Sequence, residues 1–344
     1  MKLIVYHDDN YPTWWVTREV SEKITSFLKR KGFVEYNAED LEKWMKKSLQ
    51  EKKCHHSVVV FSQDIVPDRI CRWWAPSSLI RTYLDCGGSI VWMGDSPCYY
   101  WGRHTSSSSK FKKWSEEKKA KVRLLEDREG RFAEIWDING PFHVLGIMPI
   151  YMDFPSSKVQ LTKHRESFGL QNLWYGLRPI IINESDRRRM NLTILARAGK
   201  PERSIPKKKA WFKEYKEERG TPFPKVISFL SKLVGLIPAL IAIASAFYTL
   251  SAGFSLVVPL LFFAAAIALS IGYLVYWFLW SKEALVSAWL RNYDEYHPKS
   301  GFLRIWDCHI GRITDEMLEE LRNIAISRVA IDVRRAQKKE TIEA

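Results

Sequence analysis

From Leu233 to Ser281 the chain contains no Asp, Glu, Lys, Arg or His, and this stretch constrains its architecture more than any other. A polar, Gly-containing break at Thr249 to Ser255 (TLSAGFS) divides it into two apolar runs, about 233–250 and 256–280. Each is long enough to cross a hydrocarbon core, which takes roughly 20 apolar residues at about 1.5 Å rise. Neither keeps the polar stripe of a helix buried in a soluble protein. The sequence therefore predicts a two-helix transmembrane hairpin, kinked at Pro238 and Pro259 where neighbouring helices satisfy the freed carbonyls.

The flanks orient it. Lys200 to Lys232 carries ten basic residues against four acidic ones, including Lys207, Lys208 and Lys209, whereas the tip at 249–255 is uncharged. Basic juxtamembrane segments stay on the cytoplasmic side, so both termini are expected in the cytoplasm and the protein in the membrane with two spans. Tyr276, Trp277 and Trp280 resemble an interfacial aromatic belt. The formal net charge of +14 fits anionic headgroups met by Lys207, Lys208 and Lys209 better than nucleic acid. Five cysteines without a CxxC spacing suit reduced thiols, and the opening MKLIVYHDD turns acidic too soon for a signal peptide.

Before the hairpin, hydrophobic runs alternate with helix patterns. Leu3–Tyr6, Phe33–Tyr36, Ser57–Phe61 and Ser89–Met93 read as strands, with the unbroken β-branched run SVVVF suited to a sheet covered on both faces. Between them, Thr17 and Asn37 cap two helices and Ser77 or Ser78 starts a third. This rhythm predicts an α/β fold with a doubly wound, mostly parallel sheet. Phe132–Trp136, Val144–Ile150, Ile180–Ile182 and Leu192–Ala196 look like further strands, and Trp174, Tyr175 and Arg178 like a packed aromatic and cationic corner. An echo links Ala210–Tyr215 (AWFKEY) with Ala288–Tyr293 (AWLRNY). After the hairpin, a strand at 302–306 and a helix at 315–326 have too little apolar surface to fold alone. The organisation expected is thus an α/β domain over 1–200, a basic segment over 201–232, the hairpin over 233–281, a return to the domain over 282–330 and a charged tail over 331–344.

Ligand sites in such sheets lie outside the carboxyl ends of the strands. Those ends carry His7, Asp8 and Asp9, then Ser62, Gln63 and Asp64, then Gly94, Asp95 and Ser96. His7, Asp9, Ser62, Gln63, Asp64, Gly94, Asp95 and Ser96 are the expected ligand-binding set, and His7, Asp8, Asp95 and Ser96 the catalytic candidates. Cys54-His55-His56 and Cys308-His309 are adjacent residues that diverge along a strand, so no metal site is assigned. Without a Walker loop, GxGxxG, HExxH or GxSxG, no cofactor is assigned either. The segment at 105–127, TSSSSKFKKWSEEKKAKVRLLED, reads as a solvated loop and surface helix rather than a nucleic-acid arm.

The stretch LDCGGSIVWMGDSP resembles the approach to the nucleophile elbow of class I glutamine amidotransferase-like domains, a flavodoxin-like family, over roughly Lys2 to Trp101. The resemblance implies a Cys at the elbow, with a His and a Glu supplied later. Here Asp95 follows Gly94, and Cys98 stands beyond Pro97, which implies a degenerate member without glutamine hydrolysis. The reading is thus a membrane-anchored, non-catalytic amidotransferase-like module that binds a small ligand or a protein. One alternative is a hydrolase with Asp95 or Asp8 as general base and His7 as its partner. Another is a membrane effector that forms homo-oligomers through Gly235, Ala239, Ala242, Ala244 and Ala246.

Overall fold

A computed structural model describes residues 1–71, 77–103, 124–126, 131–135, 140–147, 157–182, 187, 190–198 and 284–343. The described residues before and after the long apolar stretch belong to one compact unit. Its first part runs β1 (Lys2–Tyr6), α1 (Arg18–Arg30), β2 (Val34–Tyr36), α2 (Ala38–Gln50), β3 (Ser57–Phe61), β4 (Val66–Pro67), α3 (Leu79–Asp85), β5 (Ser89–Trp92) and β6 (Tyr100–Gly102). Short strands follow: β7 (Leu124–Glu126), β8 (Phe132–Ile135), β9 (Ser157–Lys158), β10 (Gln160–Leu161), β11 (Tyr175–Gly176), β12 (Ile180–Ile182) and β13 (Leu192–Arg197). The last part adds β14 (Ala284–Arg291), β15 (Gly301–Arg304) and α4 (Asp315–Glu343).

The main sheet has the order β10-β13-β14-β15-β5-β3-β1-β2, with β12 also on β14. Its two halves differ in direction. From β15 through β5, β3 and β1 to β2 every pairing is parallel. From β15 through β14 to β13 and β10, and from β14 to β12, every pairing is antiparallel. The doubly wound, mostly parallel sheet of the sequence reading is therefore corrected to a mixed sheet. The physical reason lies in the connections: β1, β2, β3 and β5 are joined by helices, as parallel neighbours require, whereas β14 and β15 are joined by a short loop that reverses the chain.

Alternation along the parallel strands sorts the core into two layers. Ile4, Tyr6, Val59, Phe61, Ile90 and Trp92 pack on one face with Leu41 and Met45 of α2 and Ile80, Tyr83 and Leu84 of α3. On the other face, Val5, Val58, Val60 and Val91 pack with Ile24, Phe27 and Leu28 of α1 and Leu318, Leu321 and Ile324 of α4. Each such side chain contributes roughly 1.5–3 kcal/mol when fully buried. Trp289 of β14 extends the first layer by stacking on Phe302 of β15, ring centroids 5.7 Å apart. Gly301 is required where β15 begins, because its φ is +103° and a Cβ there would lie 2.2 Å from the Arg291 carbonyl oxygen.

The helix starts follow side-chain capping. Thr17 Oγ1 accepts from the Val20 amide, Asn37 Oδ1 from the Asp40 amide at 2.8 Å, and Ser78 Oγ from the Arg81 amide. Asn37→Ala should lower stability by about 1 kcal/mol in a urea titration; an unchanged midpoint would show that α2 is held by packing alone.

Three sequence expectations are corrected here. No helix among the described residues is long and apolar enough to cross a membrane, and the longest, α4, carries Asp315, Glu316, Glu319, Glu320, Arg322 and Arg328. The two-span membrane hairpin and the membrane localisation therefore have no described helix to support them; the stretch that suggested them, 233–281, lies outside the described residues. So do Lys207, Lys208, Lys209 and the first copy of the AWFKEY echo, while the second copy runs through β14. The strand expected at Val144–Ile150 is also corrected, since Pro141–Leu145 forms a π-helical turn. Proline at its first position suits a helical start and removes a ladder donor.

Candidate functional site

The carboxyl ends of β1, β3 and β5 do converge, and what converges is bound to itself. After β1, His7 Nδ1 lies 3.0 Å from Ser21 Oγ and 3.3 Å from Ser62 Oγ. Ser62 Oγ also donates to the Tyr6 carbonyl at 2.8 Å and meets Thr25 Oγ1 at 3.1 Å. On the other side of the ring, His7 Nε2 is 3.6 Å from Asp9 Oδ1. This is a carboxylate, imidazole and hydroxyl in line, yet Ser21 and Ser62 are wholly buried. A nucleophile has to reach the reacting atom, and these hydroxyls face only the core.

Asp8 and Gln63 form the second group. Asp8 Oδ2 accepts from the Ala38 amide at the start of α2, and Oδ1 from the amide and side chain of Asn10. The Gln63 side chain accepts from the Asp8 amide at 2.9 Å and donates to the Asp8 carbonyl at 3.1 Å. Both residues hold the β1 loop against α2 and β3.

Asp64 grips the same loop further on. Its carboxylate accepts from three successive amides, those of Trp14 at 2.9 Å, Trp15 at 2.6 Å and Val16 at 3.3 Å. Burial pushes its acid up to about 6 from an ordinary 3.8, and the Asp95 charge adds to that, while the three amides pull it back. Gly94 makes the close approach possible: its φ is +90°, and a Cβ there would lie 2.8 Å from Val16 Cγ2 and 3.1 Å from Asp64 Cβ.

Asp95 is fully buried. Its Oδ1 accepts from the Ser96 amide at 2.6 Å and meets Arg178 Nη1 at 3.0 Å, while Oδ2 has no hydrogen-bond partner among the described residues. The Arg178 guanidinium lies over the Trp15 and Tyr99 rings, 4.8 and 5.3 Å from their centroids. Arg304 of β15 donates to the Arg178 carbonyl at 2.8 Å. Asp307, just past β15, accepts from Trp174 Nε1 at 2.6 Å, and burial pushes its acid up to about 6 against the opposing pull of Arg304.

The expected pairing of His7 with Asp95 is not what the structure displays, since His7 is engaged by Ser21, Ser62 and Asp9 and Asp95 by Arg178 and Ser96. Cys98 is fully buried, and burial pushes its thiol well above the ordinary range, the opposite of an activated nucleophile. The sequence reading placed Arg178 in a packed corner without linking it to Asp95, and it omitted Arg304 and Asp307. Asp307 stands directly after an apolar strand, the same signal that singled out Asp64 and Asp95.

No group of three or more His, Cys, Asp or Glu among the described residues is placed to hold a metal ion. His55 and His297 stack at 4.6 Å, and burial, with His56 and His297 nearby, pushes His55 down to about 4.

Above these strand ends sits a second, four-stranded sheet of order β4-β6-β8-β7. It leans on the loop after β1, where Arg131 Nη1 donates to the Asp9 carbonyl at 2.7 Å and Tyr100 stands edge-on to Trp14. Asp9, Trp14 and Arg18 remain at the rim, with Asp9 64% and Trp14 39% exposed.

Residues 1–117 match the model of the MJECL34 family, a stretch that contains β1 to β6 and every candidate from His7 to Ser96. A curated relative, the uncharacterized protein MJECL34 of Methanocaldococcus jannaschii, is 37% identical over 101 residues, covering 28% of this chain and 34% of that protein. The chain thus spans about a third of the length of the curated relative it matches. No solved structure matches. The resemblance to amidotransferase-like domains is corrected by this result: the part of the chain that carried it is similar to the MJECL34 family instead.

Proposed function

We propose that the α/β unit is a binding module that holds a small ligand or a protein partner without turning it over. The observation that carries this reading is the commitment of the strand-end groups: Asp8 and Asp64 accept from backbone amides, Asp95 Oδ1 is engaged by the Ser96 amide and Arg178, and the hydroxyls beside His7 are sealed in the core. A general base has to lie within hydrogen-bond reach of the proton it removes, and these groups spend that reach on the fold. Their work is positional: Asp64 fixes the backbone from Trp14 to Val16, so the Trp14 side chain stands at the rim on a rigid loop beside Asp9 and Arg18. Exposed aromatic residues on such supports suit recognition, because little conformational freedom is lost on contact.

The test is turnover by the purified full chain of a panel of simple amides, esters and phosphate esters. The expected result is no rate above buffer. A rate that disappears in Asp95→Asn or His7→Ala, with the fold retained by circular dichroism, would overturn the proposal in favour of the hydrolase reading.

A further inference from the structure

A cavity of about 550 Å³ opens at the opposite edge of the sheet, beside the first residues of β1 and β3. Its origin is topological. β2 is three residues long and pairs with β1 no further back than Ile4, so among the described residues Lys2 has no neighbouring strand on that side. The facing wall is α2, through Trp44, Lys47 and Ser48. The volume is that of a small-molecule pocket, roughly 300–1,000 Å³.

Its charge is lopsided. Lys2, Lys43, Lys47 and Lys53 line it against Asp40 and Glu51, and with Glu39, the partner of Lys43, these side chains make four ammonium groups against three carboxylates. Lys43 is held by Glu39 at 2.7 Å, and Glu51 is shared between Lys53 at 3.1 Å and Lys47 at 3.8 Å. Among the described residues Lys2 meets no carboxylate: its ammonium bonds the Tyr36 hydroxyl and lies 4.8 Å from the Tyr36 ring centroid and 5.8 Å from that of Trp44. No arginine is among the lining residues, so any anion here meets ammonium point charges, which a phosphate can engage through several oxygens at once. A phosphate monoester carries about −1.5 to −2 at neutral pH, opposite in sign to the surplus.

We infer that this cavity binds a small phosphate monoester, its phosphate held by Lys2, Lys47 and Lys53 and its organic part lying against Tyr36 and Trp44. The site is separate from the rim at Trp14 and does not depend on the function proposed for that rim.

Calorimetric titration of the full chain with phenyl phosphate tests it. Saturable binding is expected, weakened by added salt, by about tenfold or more in Lys2→Gln and severalfold in Lys53→Gln. Lys299→Gln, whose ammonium bonds the Ser167 carbonyl away from the cavity, should bind as the unaltered chain does. Absence of saturable binding, equal affinity in the two cavity variants, or equal affinity for benzoate would each overturn the inference. Should Lys2→Gln fail to fold, Lys53→Gln decides alone, because its side chain is largely exposed. Release of phenol would count against binding without turnover, not against the cavity.

Discussion

Arg178→Met should destabilise the protein by about 3–5 kcal/mol, read as a large fall in the urea midpoint. Arg178 is the cation that faces Asp95 at 3.0 Å, and both side chains are buried. Removing one member of a buried pair leaves the other as an uncompensated charge, and that penalty exceeds the net contribution of the intact pair. Asp95 is badly placed to bear it, because among the described residues Oδ2 already lacks a hydrogen-bond partner and Oδ1 has the Ser96 amide alone besides Arg178. Methionine keeps much of the apolar stem against Trp15 and Tyr99, so the loss would report charge more than packing. The double variant Asp95→Leu with Arg178→Met should recover most of the loss, since replacing both charges by apolar groups is often neutral. A single variant within about 1 kcal/mol of the unaltered chain would mean that solvent, and not Arg178, satisfies Asp95.

That pair shows what the sequence could and could not disclose. Strand ends announce polar residues by position, so Asp8, Asp64 and Asp95 were legible as a converging set, and the caps at Thr17 and Asn37 were legible from residue type and spacing. Which group each carboxylate meets was not legible, because Arg178 and Asp95 lie 83 residues apart and Arg178 is tied in place through its backbone to Arg304 and Asp307, more than 120 residues further on. The antiparallel half was harder still. β14 reads ALVSAWLR, and from Val286 to Leu290 every residue is buried, Ser287 included. With both faces covered, the period-two alternation that identifies a strand is erased, and the eye is drawn instead to its likeness to AWFKEY. Short strands such as β4, β9 and β11, two residues each, carry no periodicity at all. The resemblance to an amidotransferase elbow arose from an apolar strand ending in a glycine turn. Gly94 is needed there for a local reason, the approach of Val16 and Asp64, which any parallel strand gripping a neighbouring loop shares.

Stability should fall as pH rises from about 4 to about 6, and Asp64 and Asp307 should account for much of the fall. Burial is the main cause at both sites, raising each acid from 3.8 to about 6 in the folded chain. Below the unfolded value both states hold the proton and no difference arises. Between the two values the unfolded chain has released its proton while the folded chain still keeps it, so each step up in pH favours unfolding. Above about 6 both states are ionised and the curve flattens. The full effect is on the order of 3 kcal/mol per residue. Glu42 and Glu319 work the other way. Hydrogen bonds from Lys46 and Arg69 outweigh burial and lower Glu42, and Lys31 lowers Glu319. Their contribution is present above the ordinary carboxylate range and lost as pH falls. The two signs are separated by substitution. Asp64→Asn keeps one oxygen for the Trp14–Val16 amides and cannot ionise, so its stability relative to the unaltered chain should improve by on the order of 3 kcal/mol between pH 4 and pH 7, whatever the absolute loss of acceptors. Urea titrations of both proteins across that range give the comparison directly. Parallel curves would show that Asp64 ionises at its ordinary value despite burial, and that the three amides from Trp14 to Val16 stabilise its charge in full.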